Sequence, residues 1–253
     1  MRYLPAELAA NLSRVYLTMS LRKKLRRKWQ NLVLKWRWSR ASRVAQPNGV
    51  VEAIGLDRCD IFYINLDHRT DRRTHIEGEF AKIGVNNYTR YSAIKNENGA
   101  LGCAQSHLNI LRAWDANPQR LLMICEDDCQ FLLERSEIDD LVDQFFNDTR
   151  LDVLCLGYNA RNGVIISNAF SITSNTQTTS CYLIKEHALF ELIDAASLSV
   201  NKLETGHSRK QFAIDVTWKQ KQEKIFFAIS NNRCVKQLDS YSDIEMQEIS
   251  YKV

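Results

Sequence analysis

From residue 59 onward, short apolar runs alternate with stretches of helical periodicity, and that alternation restricts the chain to a few architectures. Ile61 to Leu66 is an apolar, aromatic run of the kind an inner strand carries. Asp71 to Lys82 reads as a helix that turns Ile76, Phe80 and the following Ile83 inward. "YTRYSAI" (88–94) predicts a second strand, and "NENGALG" after it a loop. A helix is expected from Cys103 to Trp114, a strand from Leu121 to Cys125, and an acidic helix over 136–147. "LDVLCLGY" (151–158) reads as a further strand, and "TTSCYLIKEHALFELIDAA" as a strand running into a helix. Strands that alternate with helices in this way argue an α/β domain with a largely parallel sheet.

Charge divides the chain in two. Residues 1–43 hold 12 Lys or Arg and one Glu, about +11, whereas the remainder holds 22 basic and 29 acidic residues, about −7. Two parts are therefore expected: a basic arm over 1–48 and a globular domain over 49–253, with "QPNG" (46–49) as the join. In "LRKKLRRKWQNLVLKWRW", Leu21, Leu25, Trp29, Leu32, Val33 and Trp36 recur at three- and four-residue spacings, which puts them on one stripe of a helix. A basic helix with Trp on its apolar face suits an anionic membrane surface, here through residues 21–40. A helix docked on its own domain is the second reading, and a nucleic-acid arm ranks third and is not adopted.

Seven cysteines, odd in number and without a CxxC pair, sit mostly inside apolar runs. They read as small buried hydrophobes in a reducing compartment, not as a disulfide framework. No run approaches the roughly 18 apolar residues of a spanning helix, and the N-terminus lacks the order of a secretory signal. The expected location is cytoplasmic, peripheral to the cytoplasmic face of a membrane.

The central question is "LLMICEDDCQF" (121–131), where an apolar strand runs into Glu126, Asp127 and Asp128. In sheets of this class, ligands bind beyond the carboxyl ends of the strands. Three adjacent carboxylates repel and raise one another's pKa. A divalent cation relieves that repulsion, and hard oxygen ligands suit Mg²⁺ or Mn²⁺. The chain has neither GxxxxGK[ST] nor GxGxxG, so the glycine loops of nucleotide hydrolases and Rossmann dehydrogenases are absent. A metal at a short acid motif on such a sheet fits nucleotide-sugar enzymes. A solvated cap cluster ahead of a helix fits the same three acids equally well.

"FYINLDHRTDRR", "GALGCAQSHLNILRAW" and "LLMICEDDCQF" resemble, in order and spacing, the motifs of glycosyltransferase family 25, which includes bacterial lipopolysaccharide and animal collagen galactosyltransferases. "TSCYLIKEHA", "FAIDVTWK" and "YSDIE" continue the resemblance more weakly, so that it spans about 59–245 and leaves out the arm. The resemblance implies a GT-A type fold, with a mostly parallel central sheet and helices on both faces. It implies transfer of a hexose, galactose from UDP-galactose, to a hydroxyl of a glycan acceptor, with inversion and with Mn²⁺ or Mg²⁺. Lipopolysaccharide or surface-glycan synthesis is the implied setting, in which the acceptor can be lipid-linked; the sequence does not name the acceptor. The alternative is a glycosyltransferase-like scaffold without catalysis, tethered by the arm.

By position in the motifs, Asn65, Arg69 and Arg72 are implied at the nucleotide end. Asp128 is the first implied metal ligand, and Asp127 is next, contacting ribose or metal. Glu126 is taken as the structural member of the three. His107 is either a satisfied core residue or a contributor to the diphosphate or sugar pocket. Ser106 is a weaker candidate for the same pocket, and Gly102 serves backbone geometry. An inverting transfer needs a base near the acceptor hydroxyl. Asp215 is the one acid of "KQFAIDVTW", and is expected as that base or as an acceptor ligand, with a helix N-cap as the alternative. Asp243 is a candidate for the sugar pocket, or else a cap. Two features depart from the family: His68 stands where many members carry Arg or another polar residue, and the polar segment 159–180 reads as an acceptor-side loop particular to this chain. The length favours a single bacterial-style domain over a two-domain collagen-type enzyme.

Overall fold

The structure is a computed structural model that describes residues 6–41, 53–238, 240–242 and 247–249, with side chains over 20–41 and 53–238. It divides into two compact units, Met1–Ala41 and Ser42–Val253. The "QPNG" join and Asp243 lie outside the described residues.

The described part of the first unit is a helix, α1 (Ala6–Arg40). Leu21, Leu25, Trp29, Leu32 and Trp36 are each more than half exposed. Their spacings of three and four residues keep them on one side of the helix.

The second unit is an α/β domain. Its helices are α2 (Thr70–Lys82), α3 (Gly99–Ala113), α4 (Arg135–Asn147), α5 (Leu189–Glu204), α6 (Arg209–Phe212) and α7 (Ile214–Thr217). Its strands are β1 (Cys59–Asn65), β2 (Thr89–Ser92), β3 (Leu121–Glu126), β4 (Cys129–Phe131), β5 (Val153–Cys155), β6 (Asn159–Ala160), β7 (Val164–Ile165), β8 (Phe170–Thr173), β9 (Thr176–Gln177), β10 (Cys181–Ile184), β11 (Phe227–Ser230), β12 (Val235–Gln237), β13 (Ser240–Ser242) and β14 (Gln247–Ile249). Eight of them form one sheet in the order β2-β1-β3-β10-β5-β11-β8-β7. The sheet is mostly parallel: β10 and β8 run against the other six. Three two-stranded ribbons accompany it, β4 with β12, β6 with β9, and β13 with β14.

Helices flank the sheet on both faces. Phe62 and Ile64 of β1 pack with α3 and α5 around Leu108, Leu111, Leu192 and Ala196. The alternate residue Tyr63 faces the other way, its ring 5.9 Å from that of Phe80 on α2. This period-two division of side chains is what requires cover on both sides. Six of the cysteines are buried and Cys103 is half-buried; all seven are free thiols.

β10 departs from simple alternation. It lies between β3 and β5 and is antiparallel to both. The segment leading to it is occupied by β6 to β9 and not by a crossover helix, and only a crossover returns the chain parallel.

Candidate functional site

β1 and β3 are parallel neighbours with Ile64 opposite Glu126, so both stop at the same edge. The "DHRTDRR" turn therefore lies beside the "EDD" turn. A cavity of about 990 Å³ opens there, lined among others by His68, Arg72, His107, Glu126, Asp127, Asp128 and Asp215. That volume is at the upper end of ordinary small-molecule sites.

The three acids part company where β3 ends. Within the strand, Leu122 and Ile124 face α3, so alternation sends Glu126 the same way. The residue taken as structural thus lines the cavity. Asp127 and Asp128 leave the strand and turn toward α2. Asp127 is nearly buried with both oxygens engaged: Arg72 Nη1 donates to Oδ1 at 3.1 Å, and Asn65 Nδ2 donates to Oδ2 at 2.8 Å. Burial raises its pKa against those two donors. At Asp128, Oδ2 accepts from Gln237 at 3.3 Å and lies 3.5 Å from Arg72, whereas Oδ1 is buried with no partner among the described residues. Burial, then the Glu126 charge, pushes the Asp128 carboxyl up to about 7, with Arg72 opposing. A buried carboxylate oxygen without a donor is a position a cation fits. Asp127 offers no such oxygen.

Asn65 does not line the cavity. Besides Asp127, it donates to the Arg69 carbonyl at 3.0 Å and accepts from Arg90 at 3.1 Å. It ties the end of β1 to the acid turn. Arg69 does not line the cavity either; Asp71 holds its guanidinium in a two-bond pair at 2.9 and 3.0 Å. Of the three residues implied at the nucleotide end, only Arg72 reaches the cavity, together with His68.

α3 supplies the next wall. His107 is fully buried, with Nδ1 3.0 Å from the Tyr182 hydroxyl and Nε2 3.4 Å from Glu126 Oε1. Thr179 donates its hydroxyl to the same Oε1 at 2.7 Å. Ser106 is used locally, donating to the Gly102 carbonyl at 2.7 Å and accepting from the Ile94 N–H at 2.9 Å. Gly102 allows close approach: a Cβ there would come within 2.3 Å of the Ile94 carbonyl oxygen.

Asp215 sits in the first turn of α7, where Ala213 and not Asp215 is the N-cap. Its Oδ2 accepts from Gln177 Nε2 at 3.2 Å and from the Thr178 N–H at 3.3 Å. Burial raises its pKa, and the Glu126 charge adds to the rise. Thr178 has φ +83°, a conformation that a β-branched residue adopts only under constraint. That backbone aims the Thr178 N–H at Asp215. Gln177, Thr178 and Thr179 all come from the polar 159–180 segment, which carries the short strands β6 to β9 and walls the cavity.

Arg161 and Lys219 also line the cavity, and reading the motifs does not find them. Burial and the neighbouring Arg161 charge lower the Lys219 pKa. Two cations facing one cavity suit an anion. Arg161 lies in an irregular polar stretch and Lys219 in a 3₁₀ turn (Trp218–Glu223), so neither carries a periodic signal.

No protein-family model matches this sequence, and no curated protein matches it. Among solved structures, the chain is similar to a glycosyltransferase involved in glycosylation of the major capsid of PBCV-1, at 11% identity and TM-score 0.38, covering 69% of this chain and 92% of that one. It is similar to a Drosophila beta-1,4-galactosyltransferase 7 mutant in complex with manganese, UDP-Gal and xylobiose, at 9% identity and TM-score 0.37, covering 77% and 76%. It is also similar to a nucleoside-diphosphate-sugar pyrophosphorylase from Vibrio cholerae, at 8% identity and TM-score 0.35, covering 75% and 82%. Similarities of this size carry no functional argument, and the functional reading rests on the motif residues and their geometry.

Proposed function

We propose that this chain is a glycosyltransferase that moves a hexose from a UDP-sugar, galactose by the motif resemblance, onto a glycan acceptor hydroxyl. The observation that carries the reading is convergence: the acid turn, His107 and Asp215, far apart along the chain, meet in one cavity at the carboxyl edge of the sheet. Lipopolysaccharide or surface-glycan synthesis is the setting that the resemblance supplies.

Each group has chemistry suited to that reaction. Asp215 keeps a raised pKa and a fixed orientation, as a base for the acceptor hydroxyl requires. Arg72, Arg161 and Lys219 offer positive charge to a diphosphate. His107 carries the α3 wall of the cavity against Glu126 of the acid turn. Asp128 would hold Mn²⁺ or Mg²⁺ through its partnerless Oδ1, and such an ion, when bound, stabilises charge on a departing diphosphate. Asp127 accepts one bond on each oxygen and would join such an ion through a remaining lone pair, and Arg69 would reach a nucleotide only by leaving Asp71.

The exposed apolar stripe of α1 and its Arg and Lys residues support attachment to an anionic membrane, on the cytoplasmic face. No described helix is long and apolar enough to cross a membrane. Surface attachment would bring the cavity to a lipid-linked acceptor.

Calorimetry of UDP binding and a UDP-galactose hydrolysis assay, each with Mn²⁺ and with EDTA, test the reading. UDP binding that strengthens with Mn²⁺, with slow donor hydrolysis, is expected. UDP binding without any turnover on a panel of UDP-sugars and acceptors would favour the scaffold; no UDP binding at all would sink both.

A further inference from the structure

Cys103 and His107 stand one turn apart on α3, on the same face, and Glu126 ends β3 beside them. A sulfur, an imidazole nitrogen and a carboxylate oxygen from these residues lie within 4.8 Å of one another. His107 Nε2 is buried and has no hydrogen-bond partner among the described residues, although it faces Glu126 Oε1 at 3.4 Å. The contact is long for a hydrogen bond, and a cation placed between the nitrogen and the carboxylate would engage both. The outer contacts of the group are already made: Tyr182 Oη meets Nδ1 at 3.0 Å, and the Thr179 hydroxyl donates to Glu126 Oε1 at 2.7 Å. Such contacts orient a metal-ligating imidazole and carboxylate.

We propose that Cys103, His107 and Glu126 bind a d-block divalent cation, zinc by the softness of the donor set. Thiolate with imidazole favours zinc over Mg²⁺ or Mn²⁺, which take oxygen ligands. This is therefore a site distinct from Asp128, and it stands whether or not the chain transfers a sugar. As the sulfur–metal bond forms, the Cys103 thiol releases its proton to solvent. Three protein ligands leave the fourth tetrahedral position facing the cavity, open to water or to an oxygen of a bound anion or sugar. Asp128 and Asp215 line the same cavity and add negative charge that favours a cation there.

A second thiol group, Cys125 with Cys129 and Cys181, is fully buried and is the competitor that a test must separate. The full-length protein, reduced and stripped with EDTA, is titrated with Co²⁺ and followed by absorption. One Co²⁺ per chain is expected to give a sulfur-to-cobalt charge-transfer band and visible bands of tetrahedral intensity that Zn²⁺ displaces; any Co²⁺ held by Asp128 adds no sulfur band. Cys103→Ser should remove the charge-transfer band. His107→Gln and Glu126→Gln should each weaken Co²⁺ binding by about tenfold or more while keeping that band at saturation. Cys129→Ser should leave band and affinity unchanged, and Asp128→Asn should keep the band while lowering the affinity less than Glu126→Gln does. Absence of the band in the unmodified protein overturns the proposal. So does a band that survives Cys103→Ser, or one lost in Cys129→Ser or Asp128→Asn while circular dichroism shows the variant folded. If Cys103→Ser fails to fold, unchanged Co²⁺ affinity in folded Glu126→Gln or His107→Gln serves as the overturning result.

Discussion

Asp128 shows how a single buried carboxylate can cost stability at the position where the proposed cation would sit. Its pKa rises from 3.8 to about 7 on folding, chiefly through burial and then through Glu126. Between those values the folded state holds a proton that the unfolded chain has lost. The folded state therefore loses stability as pH rises through about 7. Ionised Asp128 accordingly costs on the order of 2 to 4 kcal/mol at pH 8 in the absence of a cation. Asp128→Asn should raise the melting midpoint in EDTA at pH 8 by roughly 5 °C or more, and the difference should shrink toward zero near pH 4. Thermal scans at both pH values check this, and a midpoint lower than the parent's at pH 8 would contradict it. Asp215 gives the complementary case. Its removal as Asp215→Asn should lower kcat by about 10²- to 10⁴-fold with UDP affinity nearly unchanged, measured by steady-state assay beside calorimetry. A collapsed melting transition in that variant would instead mark Asp215 as a structural group.

At the scale of elements, the site depends on how closely α3 lies against the 93–98 loop. Gly102 permits that approach, with the Ile94 carbonyl oxygen where a Cβ would be. Gly102→Ala should destabilise by about 1 to 3 kcal/mol through overpacking, and should weaken UDP binding as well because α3 carries the cavity wall. Paired melting curves and UDP titrations check both, and an alanine variant with parental values in each would show that the loop yields freely. Elements of this kind were the most legible part of the chain. α2, α3, α4 and β3 lie within a few residues of where hydrophobic spacing puts them, because each must bury a face whose period is set by its own backbone. The reversal of β10 was not legible. A short apolar strand has the same pattern in either direction, and its neighbours alone decide which way it runs.

For the whole molecule, the charge division makes a prediction about location. The body carries about −7, so in the proposed attachment to an anionic surface the arm must supply the attraction. Its Arg and Lys residues contribute about 1 kcal/mol each near such a surface, and salt screens that sum. Replacing Trp29 and Trp36 with Ser should strongly reduce sedimentation with phosphatidylserine vesicles and leave UDP binding unchanged. Full-length protein that ignores such vesicles at low salt would remove the support for a membrane-bound acceptor.

Sequence alone determined the class of sheet; it also proposed a division into arm and body and pointed to the three acids as the place to look. All of these follow from local composition and backbone period, which neighbours in the chain suffice to set. Tertiary structure decided the rest. It assigned Asn65 and Arg72 to Asp127, turned Arg69 to Asp71, and brought Glu126 against His107 and Cys103. It also carried Arg161, Lys219 and the strained Thr178 from unpatterned segments into the cavity. A side chain's partner depends on which strands stop at one edge and which helices cover it. That is a property of long-range packing, and no window of the sequence contains it.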